Sequence, residues 1–464
     1  EARTKLGLTG KGIKVAIIDT GVYYLHPALG GGFGPGYKVA FGYDLVGDEY
    51  NGYWSSINED SDPLDNCTSV SHGTHVAGIA GGTKFQGFEG IAPDARFLLV
   101  KTDFINTDVG ISWAYRKAGT KPCVVNMSLG HHFGAHDGTD AEERLHSSLT
   151  GPGKIVVISA GNEREDDIHI GGRFSSGQST TVSFQVDRQP NGAPAATITL
   201  WYAPEDQFEF NIISPSGSVF AMPRIGRQKS FPANRVRVDL LRGTYAASNL
   251  IQAQIQLGFS ELASDSLLRN WKLQIRCTTA SIGRIDGWFS NSGFGRFLNS
   301  TLIESSRTIG LSATGPACIA VASHVSKTKW KSDNGDQEDV TSVVGRSSSF
   351  SSQGPTRNGQ QKPDYSAPGQ WITSGLARDS ELQDDDRFSD DLNRLLTIPG
   401  TSMAAPMVTG VVALLLQKKK SLTPAQVKSI LTASASHDAH TGVPGWNPTY
   451  GHGKINATAA LAQL

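Results

Sequence analysis

Three short segments of the 464-residue chain contain the residue types that nucleophilic catalysis requires. Asp19 ends an apolar run, His72 lies in the segment 71–78, and Ser402 lies in the segment 400–406. A serine hydroxyl is a poor nucleophile unless a neutral imidazole takes its proton, and a carboxylate can hold that imidazole in the useful tautomer. We therefore predict Ser402 as nucleophile, His72 as general base and then general acid, and Asp19 as the group that orients His72.

A fourth segment, 159–163, contains a side chain that can stabilise developing negative charge. Attack on a carbonyl produces an oxyanion, which hydrogen-bond donors held in advance stabilise. Asn162 can donate its side-chain N–H, and the backbone N–H of Ser402 can donate a second bond from the start of a helix. The sequence therefore predicts an oxyanion hole that contains Asn162.

The elements that must position these residues follow an alternating pattern of strand and helix. Runs that are apolar on both faces are typical of buried parallel strands, and such a sheet carries its function at the carboxyl ends of its strands. The predicted strands are 13–18, 97–100, 123–125, 155–158 and 318–322, and the predicted helices are 75–80, 141–149 and 403–416. A capping box of Thr423, Pro424 and Gln426 predicts the start of one more helix.

Between these two α/β parts the apolar residues alternate with polar ones. Such period-two segments, separated by turn signals, are typical of half-buried antiparallel strands. They lie at 182–186, 198–202, 208–212, 236–240, 251–257 and 271–277. We therefore predict an inserted antiparallel β-sandwich or jelly roll at 172–304. The predicted fold is α/β, with a mostly parallel sheet and helices on both faces, built from residues 1–171 and 305–464.

Charge and hydropathy narrow the classes of partner. The chain has 42 Lys and Arg against 43 Asp and Glu, so its net charge is −1. A general nucleic-acid binder would carry a basic excess, so no nucleic-acid partner is expected. The longest apolar run, 410–416, is short of the roughly 20 residues that cross a bilayer, so no membrane span is expected. Four cysteines without a CxxC pair give no disulfide framework.

The motifs and their order resemble the subtilisin-like serine proteases, or subtilases. The order Asp, His, Ser is the one that this family uses. Further similar segments are 125–130, 349–355 and 362–369, and the resemblance covers roughly 1–162 and 305–464. It implies a subtilisin-like fold and a serine endopeptidase that hydrolyses peptide bonds in proteins through an acyl-enzyme.

Two subgroups of the family share local features with the chain. A jelly-roll-like insertion between the oxyanion Asn and the catalytic Ser resembles the clostridial spore-germination subtilases. The segment 34–44 resembles minor extracellular proteases instead. The resemblance leaves the choice between these subgroups open.

The resemblance also implies how substrates bind. Family members take a peptide as an added extended strand, which assigns one edge of the cleft to Ser128, Leu129 and Gly130. The resemblance also assigns Ala160 and Gly161 to substrate binding. The partners implied are protein and peptide substrates and an N-terminal propeptide before maturation. Because the chain starts at Glu1 without a signal-like segment, a mature form of a secreted protein is expected.

The acidic segment 163–167 lies directly after the oxyanion asparagine. By Coulomb attraction it favours a basic side chain at P1, the substrate residue whose carbonyl is attacked. The opposing interpretation is that these carboxylates face solvent, where salt screens them. A preference for basic P1 residues is therefore a hypothesis.

The chemistry predicted for the triad needs no cofactor. His72 and His75 have a spacing that metal ligands use, but no third ligand stands at metal-site spacing. Many subtilases bind calcium, yet the segment 81–90 lacks the Asn-rich loop of one familiar site. Asp60, Asp62 and Asp65 form a carboxylate cluster, for which a solvated loop is the favoured interpretation. Structural calcium is left unassigned, and no metal ligand is predicted.

A second class of function stays open beside the protease. The β insertion could carry the biological role as an adhesion module for carbohydrate or protein, with a silent protease domain. A third hypothesis keeps the chemistry and makes the insertion an exosite that selects one partner. The presence of all four motifs favours the enzyme.

Overall fold

The computed structural model describes residues 6–48, 57–65, 71–102, 106–189, 192–233, 235–291, 293–378, 387 and 394–464. The strands are β1 Lys14–Asp19, β2 Val39–Asp44, β3 Arg96–Lys101, β4 Cys123–Met127, β5 Lys154–Ser159, β6 His169–Arg173, β7 Ser179–Val186, β8 Ala195–Tyr202, β9 Gln207–Ile213, β10 Val219–Ala221, β11 Arg227–Ala233, β12 Val236–Tyr245, β13 Leu250–Phe259, β14 Trp271–Thr279, β15 Arg284–Phe289, β16 Gly295–Leu298, β17 Ile319–Val325, β18 Lys329–Ser332, β19 Gly335–Glu338, β20 Tyr365–Gln370, β21 Ile372–Gly375 and β22 Leu395–Ile398. The helices are α1 His72–Gly81, α2 Thr107–Ala118, α3 Ala141–Ser148, α4 Asp265–Leu268, α5 Thr401–Lys418, α6 Pro424–Ser434 and α7 Ala457–Ala462, with 3₁₀ turns at Pro27–Leu29 and Leu311–Thr314.

A seven-stranded parallel sheet forms the centre of the α/β part. Its order is β2-β3-β1-β4-β5-β17-β20, and each neighbouring pair is parallel. The predicted α/β fold with a parallel sheet is therefore confirmed. The apolar runs predicted five of these strands, β1, β3, β4, β5 and β17, because both faces of the sheet are covered and successive side chains are buried. They missed β2, whose side chains are partly exposed, and β20.

Helices cover both faces of this sheet. Side chains from alternate positions of β1 point to opposite sides. Val15 and Ile17 pack in one core with residues of α1 and α5, and Ala16 and Ile18 pack in the other core with residues of α2. The helices that begin with His72 and with Thr401 therefore lie on the same face of the sheet. The predicted capping box of α6 is present: Thr423 accepts from the backbone N–H of Gln426.

The segment between β5 and β17 forms two antiparallel sheets. Their orders are β10-β9-β14-β7-β16 and β11-β12-β13-β8-β15-β6. Phe184 and Trp271 from the first sheet share one apolar core with Ile198 and Val238 from the second. All six period-two segments are strands. The antiparallel sheets run from β6 to β16, and the jelly-roll topology and the domain boundaries stay predictions.

The sequence patterns missed five strands of this region, β6, β10, β11, β15 and β16. Two of them lack alternation for a physical reason. Gly171 and Gly172 occupy the middle of β6, and β15 is buried at nearly every position. The packing around the second glycine is close, because a Cβ at Gly172 would lie 2.7 Å from the end of the Leu302 side chain, which would have to move. Such strands give no period-two signal.

A buried carboxylate links the antiparallel sheets to the rest of the protein. Asp286 of β15 is 1% exposed and lies 3.1 Å from the guanidinium of Arg357 and 2.9 Å from that of Arg284. His169 of β6 faces the same carboxylate at 3.5 Å. Burial by itself raises the pKa of Asp286, but the charges and hydrogen bonds of these partners outweigh it and hold that pKa well below its ordinary value.

We expect Asp286→Asn to destabilise the protein by about 3–5 kcal/mol, because it leaves buried cations without their anion. The depressed pKa fixes the sign of the pH dependence: the stabilisation is present above the ordinary Asp pKa and is lost as the pH falls through the folded-state value. Thermal unfolding of wild type and variant from pH 2 to 8 measures the size of the effect and the onset of this loss. Asp265→Asn is the matched control, since Asp265 pairs with Arg188 at the surface. Equal losses in both variants would contradict the prediction.

One helix among the described residues, α5, is long and apolar enough to cross a membrane by length and composition. Most of its residues are buried inside the protein, as is typical of a core helix. The described cysteines, Cys123, Cys277 and Cys318, are buried and free, and Cys67 lies outside the described residues.

Candidate active site

Asp19 lies at the carboxyl end of β1, where its side chain is fully buried. Its Oδ1 accepts hydrogen bonds from His72 Nδ1 at 2.7 Å and from the backbone N–H of Thr20 at 2.8 Å. Because Nδ1 of His72 donates to Asp19, the neutral imidazole carries its lone pair on Nε2. This is the tautomer that can accept a proton from a hydroxyl.

His72 is the first residue of α1 and is about one-fifth exposed. The helix start approaches β1 so closely that the next position must be glycine. A Cβ at Gly73 would lie 2.1 Å from the carbonyl oxygen of Gly21. Ser71, just before the helix, accepts a bond from the Ala377 N–H at 2.8 Å. These contacts fix where the imidazole leaves the helix.

The electrostatics of His72 favour its protonated form. Burial lowers its pKa, but the charge of Asp19 and the hydrogen bond to it raise the pKa by more, with a smaller contribution from Asp65. The net effect is a pKa above the ordinary histidine value. Asp65 itself is buried, which raises its pKa to about 7.

Ser402 is the second residue of α5, where the backbone N–H groups of a helix have no acceptor within the helix. Its hydroxyl donates to the carbonyl oxygen of Ser128 at 3.2 Å, and the Ser128 hydroxyl donates to the carbonyl of Ser402 at 2.9 Å. Asn126 donates to the same Ser128 hydroxyl and accepts from Thr409 of α5. This network holds the start of α5 against the end of β4.

Asn162 follows β5, and its amide is oriented by its neighbour in space. Its Oδ1 accepts from both the backbone N–H of Thr401, at 2.9 Å, and the Thr401 hydroxyl, at 3.0 Å. With the oxygen used in this way, the amide nitrogen is the atom left to donate. The Thr401 hydroxyl also accepts from the Gly161 N–H at 3.2 Å, so the loop after β5 and the start of α5 are bonded together.

A cavity of about 160 Å³ lies beside Ser402. We call it the Ser402 cavity. Its lining includes Ser128, Gly130, His132, Asn162, Glu163 and Ser402. Of the residues predicted to bind substrate, Ser128, Leu129, Gly130 and Gly161 line this cavity. Ala160 is fully buried, and its backbone bonds to Val321 and Gly310.

Sequence reasoning missed two residues that shape this cavity, His132 and Gly310. His132 lines it from a different loop than Glu163 of the acidic segment, with 3.7 Å between His132 Nε2 and Glu163 Oε2. Gly310 faces Gly130 across it, and a Cβ at Gly310 would lie 3.7 Å from the Cα of Gly130. The position of His132 four residues after Ser128 is a signal that could have found it, whereas nothing local marks Gly310.

The side chains considered as metal ligands in the sequence are hydrogen-bonded to other protein groups. His75 Nε2 lies 2.9 Å from the Leu396 carbonyl oxygen, and complete burial lowers its pKa to about 3. Asp62 accepts from the hydroxyl of Tyr24, and Asp65 accepts from the hydroxyl of Thr74. The part of the chain that the structure describes contains no group of three His, Cys, Asp or Glu side chains arranged to hold a metal ion.

The chain is similar to several known proteins. The sequence profile of the subtilase family matches residues 10–453. Minor extracellular protease Vpr of Bacillus subtilis (strain 168) is 28% identical over 445 residues, which cover 93% of this chain and 49% of Vpr. Serine protease AprX of the same organism is 38% identical over 113 residues, or 24% of each chain. The chain thus spans about half the length of Vpr, and its match to AprX covers 24% of AprX.

Among solved structures, the CspB protease of Clostridium perfringens has a similar fold. The TM-score is 0.77 at 23% identity, and the alignment covers 99% of this chain and 94% of that chain.

Proposed function

Because the chain belongs to the subtilase family, we propose that it is a serine endopeptidase that cleaves peptide bonds in proteins. The observation that carries this proposal is the hydrogen bond from His72, at the start of α1, to Asp19, at the end of β1. Ser402 lies at the start of α5, which packs on the same face of the sheet as α1, and it is bonded to Ser128 just after β4. The named proteases among the relatives support the same activity.

The proposed reaction begins with rotation of the Ser402 hydroxyl away from the Ser128 carbonyl and towards His72. His72 Nε2 takes the hydroxyl proton while Ser402 Oγ attacks the substrate carbonyl, and Asp19 stabilises the imidazolium that forms. The new C–O bond pushes an electron pair onto the carbonyl oxygen. Asn162 Nδ2 and the Ser402 N–H donate to this oxyanion.

The tetrahedral intermediate then collapses. The bond to the leaving nitrogen breaks, His72 gives its proton to that amine, and an acyl-Ser402 remains. Water enters, His72 takes its proton, and the same steps in reverse order release the acid. The substrate backbone would pair as an added strand with Ser128, Leu129 and Gly130 on one side and the segment that holds Ala160 and Gly161 on the other. No cofactor is needed for these steps.

The test of this function is active-site labelling with a serine-directed fluorophosphonate followed by peptide mapping. We expect a single adduct on Ser402, because the reagent requires both an activated hydroxyl and an oxyanion hole. Ser402→Ala is the control and should take up no label. A folded sample without an adduct would contradict the proposal and favour a binding protein with a silent protease domain.

The Ser402 cavity would hold the P1 side chain, and its carboxylate supports a preference for a cation there. Glu163 is 13% exposed, and its Oε2 accepts from the Ser352 hydroxyl at 2.9 Å, so the side chain is held at the cavity wall. The loop allows this only with a glycine beside it, since a Cβ at Gly161 would lie 2.3 Å from the same oxygen. A half-buried carboxylate is screened far less than one in solvent.

We expect kcat/KM to be higher for a P1 arginine peptide than for the same peptide with citrulline, which has the same shape without the charge. Glu163→Gln should lower kcat/KM for the arginine peptide by about 10–100-fold, since a hydrogen bond to a charged group contributes about 1.5–3 kcal/mol. The citrulline peptide should change by less than about threefold. Glu165→Gln is the matched control from the same acidic segment. A clear preference for P1 Phe or Leu over Arg would refute the hypothesis.

Location and maturation follow from the relatives and stay proposals. Vpr and Epr of Bacillus subtilis are named extracellular proteases. We therefore propose that this protein is secreted and that an N-terminal propeptide blocks the cleft before maturation. Structural calcium stays unassigned.

A further inference from the structure

His132 lies at the back of the Ser402 cavity in a setting that determines where its protons are. Its side chain is 2% exposed, and its Nε2 points towards the carboxylate of Glu163 at 3.7 Å. On its other side, its Nδ1 lies 2.9 Å from Nε2 of His136. Each ring nitrogen therefore has one defined neighbour.

The hydrogen bonds of His136 determine which ring nitrogen of His132 carries a hydrogen. Nδ1 of His136 lies 2.9 Å from the carbonyl oxygen of Gly134, and a carbonyl only accepts, so this nitrogen carries hydrogen. Burial, with the charges of His132 and other histidines, lowers the pKa of His136 well below the ordinary value. His136 is therefore neutral, its Nε2 accepts, and Nδ1 of His132 must donate.

This assignment leaves Nε2 of His132 with two states. If His132 is neutral, its Nε2 lone pair faces the carboxylate of Glu163, and no proton lies between them. If His132 takes up a proton, Nε2–H points at Glu163 and the two form an ion pair. One proton thus decides whether the Ser402 cavity carries the negative charge of Glu163 or no net charge from this pair.

The antiparallel sheets hold His132 in this position. The backbone N–H of His132 donates to the Ser290 carbonyl at 2.8 Å, just beyond β15. Trp288 of β15 stacks between the rings of His136, at 4.3 Å, and His169, at 4.7 Å. Ala135 of the same loop packs in the core of these sheets. The antiparallel sheets between β5 and β17 therefore fix the loop that carries His132.

The other titratable groups around His132 have partners of their own. His131 pairs with Glu142 of α3 at 2.8 Å, and His169 faces Asp286 at 3.5 Å. On the Glu163 side, Asp166 lies close enough for its pKa to be raised by burial and by the charge of Glu163. Asp286 is shared with three arginines. None of these groups is among the residues that line the Ser402 cavity.

We propose that His132 is a specificity-determining residue, whose proton sets the charge of the Ser402 cavity and hence the choice between cationic and uncharged P1 side chains. This inference rests on the proposed function. With His132 neutral, Glu163 is free to bind a P1 arginine. With His132 protonated, the ion pair occupies Glu163, and a P1 cation must displace the proton. An uncharged P1 residue does not compete with the protonated His132 for Glu163.

The test is the ratio of kcat/KM for P1 arginine to that for P1 citrulline between pH 5 and 9. Titration of His72 affects both peptides equally and cancels in the ratio. Because arginine displaces one proton, we expect the ratio to fall by up to about tenfold per pH unit while the pair of His132 and Glu163 holds that proton, and to be constant once the proton is lost. A ratio that is flat with pH, while both peptides are cleaved, would overturn this inference and leave the proposed protease function intact.

Two variants assign the titrating group. His132→Asn keeps a donor near the position of Nδ1, so the bond to His136 is retained, but it has no group at Nε2. We expect its ratio to be constant with pH at the high-pH value of the wild type. His131→Gln, the matched control on the adjacent residue, should keep the wild-type pH dependence. A pH dependence that survives in His132→Asn would assign the proton to another group and refute the proposal. If neither peptide is cleaved and Ser402 takes up no label, the proposed function fails and this inference fails with it.

Discussion

Replacing His72 by alanine should lower kcat for peptide cleavage by about 10⁶-fold, and replacing Ser402 by alanine should do the same. The physical reason is that the two groups act in one step. Without the imidazole the Ser402 hydroxyl keeps its proton, and without the hydroxyl the imidazole has no proton to take. The bond of His72 Nδ1 to Asp19 prepares the Nε2 lone pair for this transfer.

The double variant makes the prediction sharper. If His72 and Ser402 act as a unit, the variant with both alanines should be no slower than either single variant, and all three should retain about 10³-fold catalysis over water through the oxyanion donors. Steady-state and long-incubation assays with one peptide measure these rates. His440→Ala, a change at an exposed histidine after α6, is the control and should leave kcat unchanged. If the fold loss of kcat in the double variant equals the product of the two single losses, the two residues act separately.

The sequence predicted the elements that hold the candidate catalytic residues. Asp19, His72, Asn162 and Ser402 each lie within three residues of a strand end or a helix start. Buried parallel strands give continuous apolar runs, and parallel strands end at one edge of the sheet, so residue type and local pattern together predict their meeting. The pattern was informative because local and tertiary preferences agree at these positions.

The cavity wall was not predicted, because its contacts join segments far apart in the chain. Glu163 is held by Ser352, 189 residues away, and Gly130 faces Gly310. Ser352 lies in the segment 349–355, which only the family resemblance marks. The identity of a serine or a glycine does not say which distant residue it meets. Only the folded chain determines these pairs.

The roles of the acidic segment could not be separated from sequence either. Its carboxylates are adjacent in the chain, but the fold gives them different environments. Glu163 lines the Ser402 cavity and accepts from Ser352, whereas Glu165 is exposed. The acidic segment therefore predicted a charge near the cavity, but the backbone path after Asn162 selects which carboxylate reaches it.

Asp19→Asn should lower kcat by about 10⁴-fold and change the pH profile as well. The amide that replaces the carboxylate can donate to His72 Nδ1, which favours the tautomer with hydrogen on Nε2. That tautomer cannot take the proton of Ser402. Asp19 also stabilises the imidazolium by its charge, and this interaction raises the pKa of His72 above the ordinary value.

The sign of the pH effect follows from that interaction. The proposed mechanism requires neutral His72, so wild-type activity should rise with pH through a midpoint above about 6.5, the ordinary histidine value. Removing the Asp19 charge stabilises neutral His72 relative to imidazolium. The midpoint of the remaining activity of Asp19→Asn should therefore lie at a lower pH than that of the wild type. The pH dependence of kcat/KM for one uncharged P1 peptide measures both midpoints. A midpoint that moves to higher pH in the variant would contradict the assigned role of Asp19.

Asp65→Asn tests whether catalysis depends on the hydrogen bond between Asp19 and His72 or only on a carboxyl group near His72. Asp65 is buried beside the triad, and its bond goes to Thr74 at 2.9 Å rather than to the imidazole. Since burial raises its pKa to about 7, Asp65 is mostly protonated at pH 6, and asparagine then replaces a neutral group of the same shape. We expect kcat at pH 6 to change by less than about tenfold. A loss as large as that of Asp19→Asn would mean that the two carboxyl groups act together, and that the orientation of His72 by Asp19 alone is the wrong account of the site.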